Sequence, residues 1–175
     1  MTGLAIIDMD GTVREPISNS KFINSPRDQK LMDGAIDAIR SFQRKGYIVV
    51  GASNQGGVIA GHKSMFDCIE EQQYTLQLLS DADVEIESIL FCPDNGDECY
   101  QAIPRKGTVS ALHTYTDAFI GKYRKPQAGM LLHAIDLYGA DEAVMVGDRP
   151  EDKEAALNAN IQFIDAIEWR SAYCI

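Results

Sequence analysis

A chain of 175 residues and 19.3 kDa, 45% hydrophobic and 24% charged, suits one hydrophobic core better than two. Its formal net charge of −10 argues against broad nucleic-acid binding, which needs a basic face. No apolar run is long enough to span a bilayer, and the N-terminus lacks the features of a secretory signal. The expectation is one domain over residues 1–175, cytoplasmic and without a membrane partner.

In chain order, LAIID (4–8) reads as a buried strand that ends on Asp8, with Asp10, Gly11 and Thr12 directly after it. Residues 12–29 are rich in turn formers. A helix is predicted over 31–46, with Leu31, Ala35, Ile36, Ile39 and Phe42 on one face and Gly46 past its end. Strand 47–52 leads into Ser53, Asn54 and Gln55, then Gly56 and Gly57, and a second helix over 64–82. Strand 87–92 precedes another loop-like stretch, 93–108. Arg124, Lys125 and Pro126 open a helix over 126–139, with Pro126 at its first position and Gly139 past its end. Strand 143–147 stops before Asp148, a helix over 150–160 carries Asp152, and strand 161–165 follows. Trp169 and Tyr173 are expected to pack the C-terminal segment. Strands alternating with helices imply an α/β fold, a Rossmann-like parallel sheet flanked by helices. Ligands of such sheets sit at the carboxyl ends of the strands.

Charge is unevenly placed. Arg105, Lys106, Lys122, Arg124 and Lys125 are close in sequence, with Asp117 as the only acid among them. Such a patch is either a solvated surface or a mouth that receives anions. Cys68, Cys92, Cys99 and Cys174 form no CxxC pairs and read as free thiols.

Two carboxylates at the end of a buried strand repel and are costly to desolvate, so they need a purpose. Asp8 and Asp148 can hold a hard divalent cation such as Mg²⁺, with a main-chain carbonyl and waters completing the shell. Lys125 offers a compact positive charge to a phosphate, and the Ser53 hydroxyl and nearby amides can bond its other oxygens. An aspartate beside a metal and a lysine can attack phosphorus, and a carboxyl group two residues on can move the proton. The simpler readings are a calcium loop, a phospho-acceptor, a turn at Ser53, a surface lysine and an acidic helix start at Asp148. An EF-hand is excluded, because Val13 and Asn19 occupy the Gly and Glu positions. The others account for one cluster each, whereas all four clusters lie near element ends.

The order Asp8-x-Asp10-Gly-Thr, Ser53 after a strand, Lys125, and Gly147-Asp148-x-x-x-Asp152 resembles the haloacid dehalogenase superfamily of phosphatases. The segments SNQGGV, YRKPQAGML and MVGDRPEDKEAA resemble the subgroup of histidinol-phosphate, heptose-bisphosphate and polynucleotide 3′-phosphatases. The resemblance implies Asp8 as nucleophile and metal ligand, and Asp10 as general acid/base with its carbonyl on the metal. It implies Ser53 and Lys125 as stabilisers of the phosphoryl group, Asp148 as the further metal ligand, and Arg124 and Asn54 as substrate contacts. Asp152 is expected to orient Lys125 or a water near the metal rather than to touch the metal. Bacterial bisphosphate phosphatases of this subgroup often carry a zinc loop. Here Asp94 replaces its histidine and Gly121 and Tyr123 its last two cysteines, so that zinc site is expected to be absent. A rearranged site from Cys92, Cys99 and His113 is the alternative. Residues 12–29 and 93–124 are too short for a substantial cap domain, so an open site is expected, which disfavours a mutase.

The expected activity is a Mg²⁺-dependent phosphomonoesterase working through an aspartyl-phosphate. Its first substrate class is a small phosphorylated metabolite, a sugar bisphosphate or histidinol phosphate. The second is a 3′-phosphate end of DNA or RNA, and a third reading is a non-catalytic binding protein on the same fold. Substrate identity, oligomeric state, metal binding by Cys92 and Cys99, and closure of the 12–29 loop are left open by the sequence.

Overall fold

The computed structural model describes residues 1–104 and 111–173. Its centre is β1, Gly3–Ile7, every residue of which is buried. It lies between β4, Tyr47–Asn54, and β8, Glu142–Gly147, parallel to both. Beyond β4 lies parallel β5, Ser88–Cys92, and then two short antiparallel strands, β6 at Tyr100–Ala102 and β7 at Leu112–His113. Beyond β8 lies β9, Gln162–Asp165. The sheet order is β7-β6-β5-β4-β1-β8-β9, so it is parallel except at one edge. A separate two-stranded ribbon pairs β2, Arg14–Glu15, with β3, Lys30–Leu31.

Alternate residues of the strands feed opposite faces. Ala5, Ile7, Val49, Ile89 and Phe91 pack with α1, Ala35–Arg44, and α2, Met65–Asp81. Leu4, Ile6, Val50, Leu90 and Met145 pack with α3, Gly129–Tyr138, and α4, Pro150–Asn158. A last helix, α5 at Ala166–Ser171, seats Trp169 against Phe42 with ring centroids 6.2 Å apart. The Tyr173 hydroxyl lies 2.6 Å from Ser41 Oγ, so both aromatics pack the C-terminal segment.

Three sequence expectations are corrected. The first helix starts at Ala35 rather than at 31, because Leu31 pairs with Arg14 in the ribbon. Gly34 begins it in the left-handed region at φ 81°, where a Cβ would also lie 2.5 Å from the Arg170 carbonyl. Ser53 and Asn54 do not follow β4 but are its last residues, in register with Phe91 and Cys92. Pro126 is not the first residue of α3, which begins at Gly129. The Asn54 amide bonds both backbone groups of Lys125, accepting from its N–H at 3.0 Å and donating to its carbonyl at 2.9 Å. This holds 125–126 against the end of β4 instead of in a helical turn.

No helix among the described residues is long and apolar enough to cross a membrane.

Candidate active site

Register places the site. Ile7 pairs with Gly51 on one side and Val146 on the other, and the Asp8 amide donates to the Val146 carbonyl at 2.9 Å. Asp8 therefore sits level with Ala52 and Gly147 at the carboxyl edge. The chain leaves β1 for β4 on one side and later returns to β8 on the other, so this is a switch point of the sheet.

Lys125 is buried there, with Nζ donating to Asp8 Oδ1 at 2.7 Å, Asp152 Oδ1 at 2.6 Å and the Ala52 carbonyl at 2.8 Å. All three ammonium hydrogens are placed. Asp152 itself is fixed because its Oδ2 accepts the Arg149 amide at 3.2 Å in the first turn of α4. Burial pushes the Asp8 carboxyl up to about 8, against the pull of Lys125 and with Asp152 adding to the rise. Lys125 is held above its usual range, because Asp8 and Asp152 outweigh its desolvation.

Asp148 faces Asp8 across the loop. The buried Thr12 hydroxyl is 3.3 Å from Asp8 Oδ2 and 3.4 Å from Asp148 Oδ1. Gly11, at φ 81°, permits this approach, since a Cβ would run into the Asp148 carboxylate. Oxygens of Asp8, Asp148 and Asp152 lie within 4.8 Å of one another. It is the one such group of three or more acidic, His or Cys side chains among the described residues. Since Asp152 is engaged by Lys125 and Arg149, Asp8 and Asp148 are the pair with oxygens turned to a common space. That donor set fits a hard cation.

Asp10 accepts from Arg14 at both oxygens, from Ser53 Oγ at 3.3 Å and from Gln55 Nε2 at 3.1 Å. Burial alone would raise its pKa, but the Arg14 guanidinium holds the carboxyl below the usual range. Around these residues lies a cleft of about 640 Å³ that contains Asp8, Asp10, Asn54, Arg124 and Lys125. Residues Pro16 and Lys21 to Asn24 form one wall, so the 12–29 loop borders the site. Ser18 bonds both carboxylate oxygens of Asp28 and staples that loop. Of the basic cluster, Arg124 and Lys125 line the cleft, and Arg105 and Lys106 lie outside the described residues. Lys21, His62, Lys63 and Arg149 join them. Arg14, Lys63 and Glu71 were not singled out in the sequence, and Gln55 was named there without a role. Only the four-residue step from Asp10 to Arg14 hinted at the first of these.

At the position where the resemblance implied a lost zinc loop, Asp94 Oδ1 accepts the amides of Gly96 at 2.8 Å, Asp97 at 3.0 Å and Glu98 at 3.3 Å. Cys92 Sγ lies 3.3 Å from the same oxygen. Buried Tyr123 bonds both backbone groups of Thr116, and His113 packs between Tyr100 and Tyr115. Burial pushes the Cys68 and Cys92 thiols up to about 12 and raises Cys99 as well. Native protein treated with iodoacetamide at pH 8 should therefore leave these three unlabelled in peptide mass spectra, while unfolded protein is labelled at all three. Labelling of folded protein at Cys92 or Cys99 would contradict their burial.

Against this geometry stand the relatives. Residues 3–166 match the model of the polynucleotide kinase 3 phosphatase family. The chain belongs to that family. The phosphatase is 31% identical over 159 residues to D-glycero-beta-D-manno-heptose-1,7-bisphosphate 7-phosphatase of Escherichia coli, covering 89% of this chain and 73% of that protein. It is 28% identical over 163 residues to D-glycero-alpha-D-manno-heptose-1,7-bisphosphate 7-phosphatase of Campylobacter jejuni, covering 91% and 79%. Its fold is similar to that of D,D-heptose 1,7-bisphosphate phosphatase from B. bronchiseptica, crystallised with magnesium and phosphate. The TM-score is 0.68 at 24% identity, covering 93% of this chain and 79% of that one. The molecule is thus a phosphatase with a haloacid dehalogenase-like fold, as its motifs implied.

Proposed function

We propose that this phosphatase is a Mg²⁺-dependent phosphomonoesterase that acts on a sugar bisphosphate through an aspartyl-phosphate. The carrying observation is Lys125 Nζ fixed between Asp8 and Asp152 with the Asp148 carboxylate opposite Asp8. Asp8 and Asp148, with the Asp10 carbonyl, would hold Mg²⁺, which supplies charge neutralisation at the phosphoryl oxygens. Asp8 attacks phosphorus, the ester P–O bond breaks, and Asp10, ionised in the free site, passes to the leaving oxygen a proton that enters with the phosphate monoanion. Water then attacks the same phosphorus while Asp10 takes its proton, the Asp8–P bond breaks, and phosphate leaves. Lys125 offsets charge on the transferring group, and Ser53 donates to one of its oxygens. Asn54 serves through Lys125, whose backbone it holds.

Support for a second phosphate comes from the cleft. An acidic chain gathers Lys21, His62, Arg124 and Arg149 around one carboxylate site. The relatives named above take heptose bisphosphates. We read residues 1–175 as one working unit, with the 12–29 loop in place of a cap.

The test is phosphate release with Mg²⁺ from heptose and hexose bisphosphates, histidinol phosphate and an oligonucleotide 3′-phosphate, with Asp8→Asn as background. A sugar bisphosphate is expected to have the highest kcat/KM, about tenfold or more above its monophosphate. Preference for the oligonucleotide, which the family name keeps in view, would overturn the sugar assignment and keep the chemistry.

A further inference from the structure

A buried ionic ring adjoins Asp10, and the chemistry above does not use it. Arg14 is fully buried. Its Nε donates to Asp10 Oδ1 at 3.0 Å and its Nη2 to Asp10 Oδ2 at 3.2 Å. Nη2 also meets Glu71 Oε1 at 3.1 Å, and Nη1 meets Thr75 Oγ1 at 2.6 Å. The other Glu71 oxygen takes Lys63 Nζ at 2.5 Å. Lys63 continues to Gln55 Oε1 at 3.0 Å, and Gln55 Nε2 returns to Asp10 Oδ2. Acid, base, acid and base follow in turn before neutral Gln55 closes the ring, on the loop after β1, β2, α2 and the 55–64 turn.

We propose that Arg14, braced by Glu71 and Thr75, is a positioning residue that fixes the Asp10 carboxylate so that Oδ2 exchanges protons with the substrate and water. This rests on the acid/base reading of Asp10 given above. A guanidinium fork bonded to both oxygens sets the rotation of a carboxylate, which a single contact does not. Among the described residues Oδ1 meets Arg14 as its one side-chain donor, whereas Oδ2 also meets Ser53 and Gln55 beside the phosphoryl site. When a phosphoryl oxygen takes the Ser53 hydroxyl, one donor leaves Oδ2 and the Arg14 fork stays. Substrate binding thereby frees one acceptor position on Oδ2, where Arg14 Nη2 and Gln55 Nε2 still donate. The Arg14 guanidinium is taken up by Asp10, Glu71 and Thr75, and acts through Asp10. A merely structural ion ring of this size would gain little over apolar packing, because desolvation offsets its attraction.

The experiment compares kcat/KM for an alkyl phosphate, whose leaving oxygen needs a proton, with that for p-nitrophenyl phosphate, whose leaving group does not. Both values report the steps through departure of the leaving group. Arg14→Lys keeps the charge and loses the fork. Glu71→Gln keeps Arg14 and weakens its brace, and guards against a folding failure in the first variant, with thermal melts of each as the control. In both, kcat/KM for the alkyl phosphate should fall at least about tenfold more than for the aryl phosphate. A structural role would lower the two equally, and equal losses or no loss overturn the proposal. Asp10→Asn is measured in parallel. If it shows no bias between the substrates, the acid/base reading itself falls. If it shows the bias and the Arg14 and Glu71 variants do not, only the positioning role falls.

Discussion

Asp8→Asn should lower phosphate release by a factor of about 10⁴ or more and leave the protein folded. The amide keeps the size of the carboxylate but cannot attack phosphorus. The same substitution separates stability from function. Folding raises the Asp8 carboxyl from 3.8 to about 8, so the folded state binds a proton that the unfolded state has lost between those values. The stability from that proton is complete below about pH 4 and declines as pH rises towards 8. Wild type stripped of metal by EDTA should show this decline in its melting temperature, and Asp8→Asn should lack it. Mg²⁺ competes with the proton, so it should stabilise wild type more at pH 8 than at pH 6. Asp8→Asn should lose most of that increment. Turnover near wild type in Asp8→Asn would eliminate Asp8 as nucleophile, and an unchanged Mg²⁺ increment would eliminate it as a ligand.

The second large effect belongs to Lys125. Lys125→Met fills a similar volume but strips three hydrogen bonds from Asp8, Asp152 and the Ala52 carbonyl. Two buried carboxylates then face each other without a cation. Removing one partner of a buried pair costs about 3–5 kcal/mol, and urea unfolding at pH 8 without metal should show a loss of that size. The loss should shrink at pH 5.5, where Asp8, whose burial favours the protonated form, takes up a proton. Adding Asp152→Asn should recover part of it, because the two sites share one interaction. A change below about 1 kcal/mol at pH 8 would mean that water reaches the pair and that the site is wetter than its burial indicates. Turnover should fall with stability intact at low pH, which ties Lys125 to chemistry as well as to folding.

The strands at the centre were readable because buried parallel strands are short, continuous apolar runs, as in LAIID and AVMVG. Boundaries shifted where a partner far in sequence intervened. Leu31 joined a ribbon with Arg14, and Asn54 drew Lys125 out of a helical turn. The short strands β6 and β7 carry too few residues for a pattern, and they form because the edge of β5 offers unpaired backbone groups.

The site divides in the same way. Asp8, Asp10, Ser53 and Asp148 stood out in the sequence because polar groups near the ends of apolar strands are costly without a use, and Lys125 and Asp152 because they lie near helix starts in the same order. Their order along the chain is also that of a known family. That Asp152 orients Lys125 while Asp148 faces Asp8 was decided by the register of β1 with β8 and by the first turn of α4. Lys63 and Glu71 had no local signal, and Arg14 had only its four-residue step from Asp10. Charged residues are usually solvated, and these become a ring only when α2 packs beneath the β2 ribbon and closes Arg14 from water. The sequence alone determined which chemistry this chain carries. The tertiary structure decided which carboxylate oxygen meets which cation, because charge pairing depends on distances and burial that no single stretch of chain contains.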